Sequence, residues 1–199
     1  MLRLQENLVN YFNDSIQHRN IHKCGSYPYA DGLFLNEFVR QFKIKSVLEI
    51  GTGIGYSSTC LALDNDVKVT TIEMIEDHIE IAKKYWNNFS TENIYPIMGK
   101  SLEVLPDLTD KFEMIFFDAF APNPQEAELY LNLIDSKGII VTTNISWNDT
   151  TQPYLKVFND AGLFTIVNDD TAFSSFNETF TEQSSSFYLS KNWSFAETS

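Results

Sequence analysis

The stretch Val47-Leu-Glu-Ile-Gly51-Thr-Gly53-Ile-Gly55-Tyr-Ser-Ser constrains this chain more than any other. An apolar run of strand length enters a turn with glycine at every second position, and the turn opens a helix. Glycine adopts positive φ without a Cβ penalty and lets a ligand come close to the backbone. Free N–H groups at the start of the helix favour a carboxylate or phosphate. The rest of the chain repeats the strand–helix theme. Apolar runs of strand length begin near Ser46, Val67, Ile94, Met114, Ile139 and Phe164. Helix-period segments lie between the first five and after the fifth, the clearest carrying Ile75, Ile79, Ala82, Trp86 and Phe89 on one face. Alternating βα units predict an α/β fold, a mostly parallel twisted sheet with helices on both faces. Beyond Asp169 the tail is rich in Ser, Thr and Phe, and Ser186-Phe-Tyr-Leu-Ser reads as a last strand. An antiparallel strand at one sheet edge is therefore expected.

Two helices precede this series. Leu4, Leu8, Phe12 and Ile16 are spaced four apart, and a second helix runs from Gly32 to Phe42 with Leu35, Phe38, Val39 and Phe42 inward. The expected organisation is one domain over 1–199, with the helices of 1–43 covering the site, as 199 residues suit a single α/β core. No apolar run reaches membrane-spanning length, and the N-terminus lacks a secretory apolar region, so a cytoplasmic protein without membrane contact is expected. The net charge of −13, from 14 basic and 27 acidic residues, excludes unaided nucleic-acid binding, which relies on Lys and Arg neutralising phosphates. The charge slightly favours a cationic substrate such as an amine, although solubility alone accounts for it. Cys24 and Cys60 form neither a disulfide framework nor a zinc site by spacing, and Cys60 reads as core.

The glycine pattern also discriminates between ligands. A dinucleotide fingerprint requires Gly-x-Gly-x-x-Gly, but Tyr56 stands where its third glycine belongs. Glu49, two residues before the first glycine, would repel a pyrophosphate and suits an ammonium group. S-Adenosylmethionine offers an ammonium and a carboxylate, and no phosphate. The strand Val67-Lys-Val-Thr-Thr-Ile-Glu73 ends in an acid 22 residues after Gly51, a position that accepts hydrogen bonds from ribose hydroxyls.

With these motifs the chain resembles the class I S-adenosylmethionine-dependent methyltransferases, a Rossmann-like fold. It is most similar to the small O-methyltransferases of the catechol and caffeoyl-coenzyme A type. The shared features are two leading helices, Leu48-Glu-Ile-Gly-Thr-Gly, Gly99-Lys-Ser101, Phe116-Phe-Asp118 and Thr142-Thr-Asn144-x-x-Trp147. The resemblance implies that Glu49, Gly51, Thr52 and Gly53 hold the methionine part, with Tyr56 and Ser57 beside it. It implies that Glu73 holds the ribose with Met74 against the adenine, and that Lys100, Ser101 and Phe120 border that ring. Asp118 is implied beside the sulfonium, and Asp118 and Asn144 are the catalytic candidates.

The pattern breaks at the metal. Catechol-type enzymes hold a divalent cation with an acid after strand four and an Asp-Asn pair after strand five. Asp118 and Asn144 match, but Thr143 replaces a carboxylate, and Ala121 stands where the family has a lysine. Hard cations depend on carboxylate oxygens, so no metal is expected. Candidate bases are Asp118, His22, Asp31 and Asp149; His18 and His78 read as surface residues. The expected function is O-methylation of a small-molecule acceptor. The alternatives are amine N-methyl or aminopropyl transfer, suggested by Asp118-Ala-Phe-Ala-Pro122, and a cofactor-binding protein without transfer activity. Pro122 and Pro124 also have a plain reading as the launch of a helix. A homodimer is an expectation from the resemblance alone.

Overall fold

The computed structural model describes residues 2–22, 32–119, 123–145, 151–168 and 185–190. Helices α1 (Leu2–His22) and α2 (Gly32–Gln41) lead. Then come β1 (Ser46–Ile50), α3 (Tyr56–Ala62), β2 (Lys68–Glu73), α4 (Glu76–Phe89) and β3 (Ile94–Met98). A short α5 (Ser101–Val104), β4 (Phe112–Phe117), α6 (Pro124–Leu133), β5 (Ile134–Ile145), α7 (Gln152–Asp160), β6 (Phe164–Asn168) and β7 (Ser185–Ser190) complete the order. Pro124 does open a helix: it sits in the first turn of α6, and Asn123 accepts the Gln125 N–H at 2.8 Å as its cap.

The strands form one sheet in the order β3-β2-β1-β4-β5-β7-β6. The first five pair in parallel. Strand order reverses between β1 and β4, and ligands of open α/β sheets bind beyond the carboxyl ends of the strands at such a point. The antiparallel strand is not the outermost one. β7 runs antiparallel to both neighbours and lies between β5 and β6, leaving β6 as the edge. β5 starts at Ile134 rather than near Ile139, because its ladder opens at Phe112↔Ile134 and passes an irregularity before Met114↔Ile139.

Both sheet faces are covered, which is why the strands read as nearly unbroken apolar runs. On one face Val47, Val69, Met114, Phe116 and Val141 meet Leu35, Phe38, Leu61, Ala82 and Trp86 from α2, α3 and α4. On the other, Leu48, Ile50, Ile115, Phe117 and Ile140 meet Leu105, Ala127, Tyr130, Tyr154 and Phe158. A third cluster fastens α1 to α3, with Leu8, Tyr11 and Phe12 against Ile54, Tyr56, Cys60 and Leu63. Cys60 is core, as its neighbours suggested. Cys24 lies outside the described residues. Among the described residues, no helix is long and apolar enough to cross a membrane.

Gly55 is where α1, the turn and α4 converge. Its φ is +92°, and an added Cβ would lie 2.7 Å from both Ala82 Cβ and Trp86 Nε1. Backbone strain and overpacking each cost about 1–3 kcal/mol, so Gly55→Ala should lose about 2–4 kcal/mol in urea denaturation. A loss below about 0.5 kcal/mol, the scale of an ordinary surface change, would contradict this packing.

Candidate active site

The carboxyl ends of β1, β2 and β4 bring the glycine turn together with Glu49, Glu73 and Asp118. The turn is stitched to the sheet at both sides. Gly51 N–H donates to the Ile72 carbonyl at 3.0 Å, and Asp118 N–H donates to the Ile50 carbonyl at 3.0 Å. Gly51 has φ +96°, and a Cβ there would lie 2.5 Å from the Asp118 carbonyl oxygen. Only glycine permits that approach.

Glu49 sits one layer below the expected place. It is 0% exposed, and its oxygens accept from Ser57 Oγ and Thr71 Oγ1, each at 2.6 Å. Thr71 Oγ1 is also 2.5 Å from Thr52 Oγ1. As placed, Glu49 braces the turn through the hydroxyls of α3 and β2. Burial drives its carboxyl up to about 8, against the two hydroxyl donors that lower it; Asp118 and Glu73 push it further up. Ser57 and Thr52 are buried with it, so all three serve this network. Tyr56 also departs from expectation. Its ring packs edge-on to Tyr11 and Phe12 at 5.5 and 5.4 Å, inside the α1–α3 core.

Glu73 is the preorganised acid. Oε2 accepts the Gly53 N–H at 2.8 Å, and Oε1 accepts the Met74 and Ile75 N–H groups at 2.9 and 3.0 Å. Burial alone would raise its carboxyl, but His78 and the backbone donors outweigh that and leave it below the ordinary value. A carboxylate offers about four acceptor positions, so three backbone donors leave about one open. Met74 beside it is 62% exposed, an apolar surface at the mouth of β2. Lys100 is exposed and pairs with Glu103 at 3.7 Å. Ser101 donates its hydroxyl to Glu126 of α6 in a short hydrogen bond, joining the segments after β3 and β4. Burial holds the Glu126 carboxyl above its usual range.

Asp118 lies half-buried after β4, and Thr143 Oγ1 is 2.7 Å from its Oδ1 and 3.1 Å from the Phe117 carbonyl. One hydroxyl proton serves both, and the shorter contact to the charged oxygen is the stronger claim on it. Asn144 is the last but one residue of β5. Phe120, Asp31 and Asp149 lie outside the described residues. His22 is exposed at the end of α1, but His78 is buried, contrary to its surface reading, and His18 is half-buried.

Three participants escaped the sequence reading: Thr71, Glu126 and His78. Thr71 had a signal, since two threonines in a strand covered on both faces need polar partners. Glu126 had none beyond its place in the first turn of a helix.

A glycine turn at the switch point, with an acid at the end of the next strand, defines a nucleoside-binding Rossmann-like protein. The family model described as O-methyltransferase matches residues 6–160, and the chain belongs to that family. It is 28% identical over 155 residues to a Dictyostelium discoideum protein named as a probable caffeoyl-CoA O-methyltransferase 3, covering 72% of this chain and 59% of that protein. It is 32% identical over 98 residues to a catechol O-methyltransferase of Niastella koreensis, covering 46% and 44%. The matches thus span about half the length of these curated relatives. In fold it is similar to the O-methyltransferase TomG of Streptomyces achromogenes, solved with SAM, at a TM-score of 0.73, 20% identity, and coverage of 91% and 89%.

The Glu49 carboxyl generates a prediction with a definite sign. An unfolded chain releases this proton near 4.5, while the folded chain keeps it to about 8. Between those values the native state binds the extra proton, so stability falls as pH rises through the window and levels off above it. Glu49→Gln, which titrates nowhere, should flatten that decline in thermal denaturation between those pH limits. Identical pH dependence in the two proteins would remove the neutral-carboxyl assignment.

Proposed function

We propose that this chain transfers a methyl group from S-adenosylmethionine to an oxygen of a small molecule, without a divalent metal. The observation that carries the reading is the pair of carboxylates, Glu73 and Asp118, set on either side of one glycine turn above the neutral Glu49. An edge of that sign repels phosphate and attracts the sulfonium and ammonium of this cofactor.

Glu73, with an acceptor position still open, takes a ribose hydroxyl. Exposed Met74 covers one face of the adenine, and Ser101 and Phe120 border it. The Gly51 and Gly53 amides are already given to Ile72 and Glu73, so the Thr52 amide between them receives the methionine carboxylate. When bound, the cofactor supplies an electrophilic methyl group that needs no further activation. The protein's task is alignment and removal of the acceptor's proton. Asp118 is the base in this reading, its carboxylate oriented by the Thr143 hydroxyl, and Asn144 helps to orient the acceptor.

The donor set does not fit a hard cation. Thr143 is neutral, and its hydroxyl proton points at the carboxylate that would have to be the main ligand. Methyl transfer should therefore persist in excess EDTA, read with labelled cofactor over phenol, carboxylate and amine acceptors. Activity abolished by EDTA and restored by magnesium would overturn the metal-free reading, and labelling of amines alone would overturn the oxygen acceptor.

Cofactor binding is checked separately. S-Adenosylhomocysteine should raise the melting temperature and NAD should not, because only a native-state ligand stabilises. Glu73→Ala should weaken calorimetric binding by about 2 kcal/mol, the scale of a charge-assisted hydrogen bond. Unchanged affinity in a folded variant would remove Glu73 from the ribose.

A further inference from the structure

The chain has three histidines, and the fold stands all three in one file. His22, exposed at the end of α1, has its ring 4.4 Å from that of His18. The His18 ring meets His78 of α4 edge-on at 5.1 Å. His78, 5% exposed, places Nδ1 3.7 Å from Oε2 of Glu73. The file therefore runs from solvent to the acid assigned to the ribose.

Its buried nitrogens are not satisfied. His18 Nε2 and His78 Nδ1 both lack a hydrogen-bond partner. An unpaired buried polar atom is costly, and an apolar side chain at either position would avoid that cost. At 3.7 Å the His78–Glu73 contact is too long for a hydrogen bond and suits a charge pair formed when the ring carries a proton.

We propose that His78 is a positioning residue for Glu73, its protonated ring fixing the carboxylate from the α1 side so that cofactor affinity follows pH. The inference rests on Glu73 holding the ribose. The groups facing His78 are Glu73 from β2 and His18 from α1, with His22 beyond. Arg19, half-buried, follows His18 on α1, and on α4 itself Glu76 and Asp77 are exposed. His18 resists a proton of its own, because burial and then the adjacent His78 and His22 hold its pKa below the ordinary value. Glu73 is the anion that faces the buried pair. A carboxylate braced by a charged imidazole loses that brace when the ring is neutral.

Calorimetric titration of the full chain with S-adenosylhomocysteine tests this at about pH 6 and pH 8.5, either side of the histidine range. Wild-type affinity should fall by about fivefold over that span, the low end of coupling between two sites. His78→Asn keeps an N–H donor but does not titrate. It should retain binding and lose the slope, and any slope it keeps belongs to the ligand's own ammonium. His78→Ala should weaken binding throughout, and adding it to Glu73→Gln should cost nothing further, since a residue acting through another is not additive with it. Equal slopes in wild type and His78→Asn, or additive losses in the cycle, would overturn the positioning role. Glu73→Gln binding as wild type would instead overturn the ribose assignment beneath it. If His78→Ala does not fold, His78→Asn and its double with Glu73→Gln supply the same two comparisons.

Discussion

A carboxyl buried to 0% exposure organises the whole ligand-facing end of this sheet. Removing an acid from water costs several kcal/mol unless hydrogen bonds replace the water, so the surroundings of Glu49 are not free to vary. Its donors come from different elements, Ser57 from α3 and Thr71 from β2, and Thr71 passes the network to Thr52 in the turn. One side chain of β1 thereby fixes the next strand, the turn and the helix after it. Gly51 adds β4 to the assembly by allowing the Asp118 backbone to pass where any Cβ would stand.

The acids around the turn are then sorted by environment rather than by type. Burial lifts Glu49 toward its neutral form, and a neutral carboxyl can rest beneath the turn without repelling its neighbours. Glu73, given three amide donors, keeps its charge at the surface of the crevice. Two glutamates of like chemistry thus differ in state, one neutral and bracing the turn, the other kept charged by backbone amides. Such separation of nearby carboxyls is typical of sites that must hold charge in one place and avoid it in another.

Much of this was legible in the sequence, and the failures are specific. The strand runs and the α4 stripe survive because apolar periodicity reports burial directly. The glycine turn was legible because few residues tolerate the positive φ of Gly51, Gly53 and Gly55. His78 was misjudged although the pattern contained it. It lies three residues after Ile75 and four before Ala82, within the buried stripe, and its polarity hid the fact. The burial of Tyr56 and Glu49 was not legible for a different reason: a motif gives chain position, while α1 and β2 decide which side a residue faces. The β7 insertion depends on which edge the returning strand joins, and local sequence carries no such information.

The Thr143–Asp118 contact bears on the chemistry in the same way. The catechol-type enzymes that the chain resembles place a carboxylate at this point, and two acids close together need a cation between them. With threonine there, a hydroxyl proton meets one oxygen of Asp118 at 2.7 Å in place of that second carboxylate. The exchange also changes what Asp118 can do. A carboxylate bound to a cation is a poor base, because the metal draws on the same lone pairs, whereas one that accepts a hydroxyl proton keeps lone pairs able to take another. With Ala121 in place of the family's lysine, Asp118 is the proposed base, and alignment of the acceptor is the main burden on the protein in that reading.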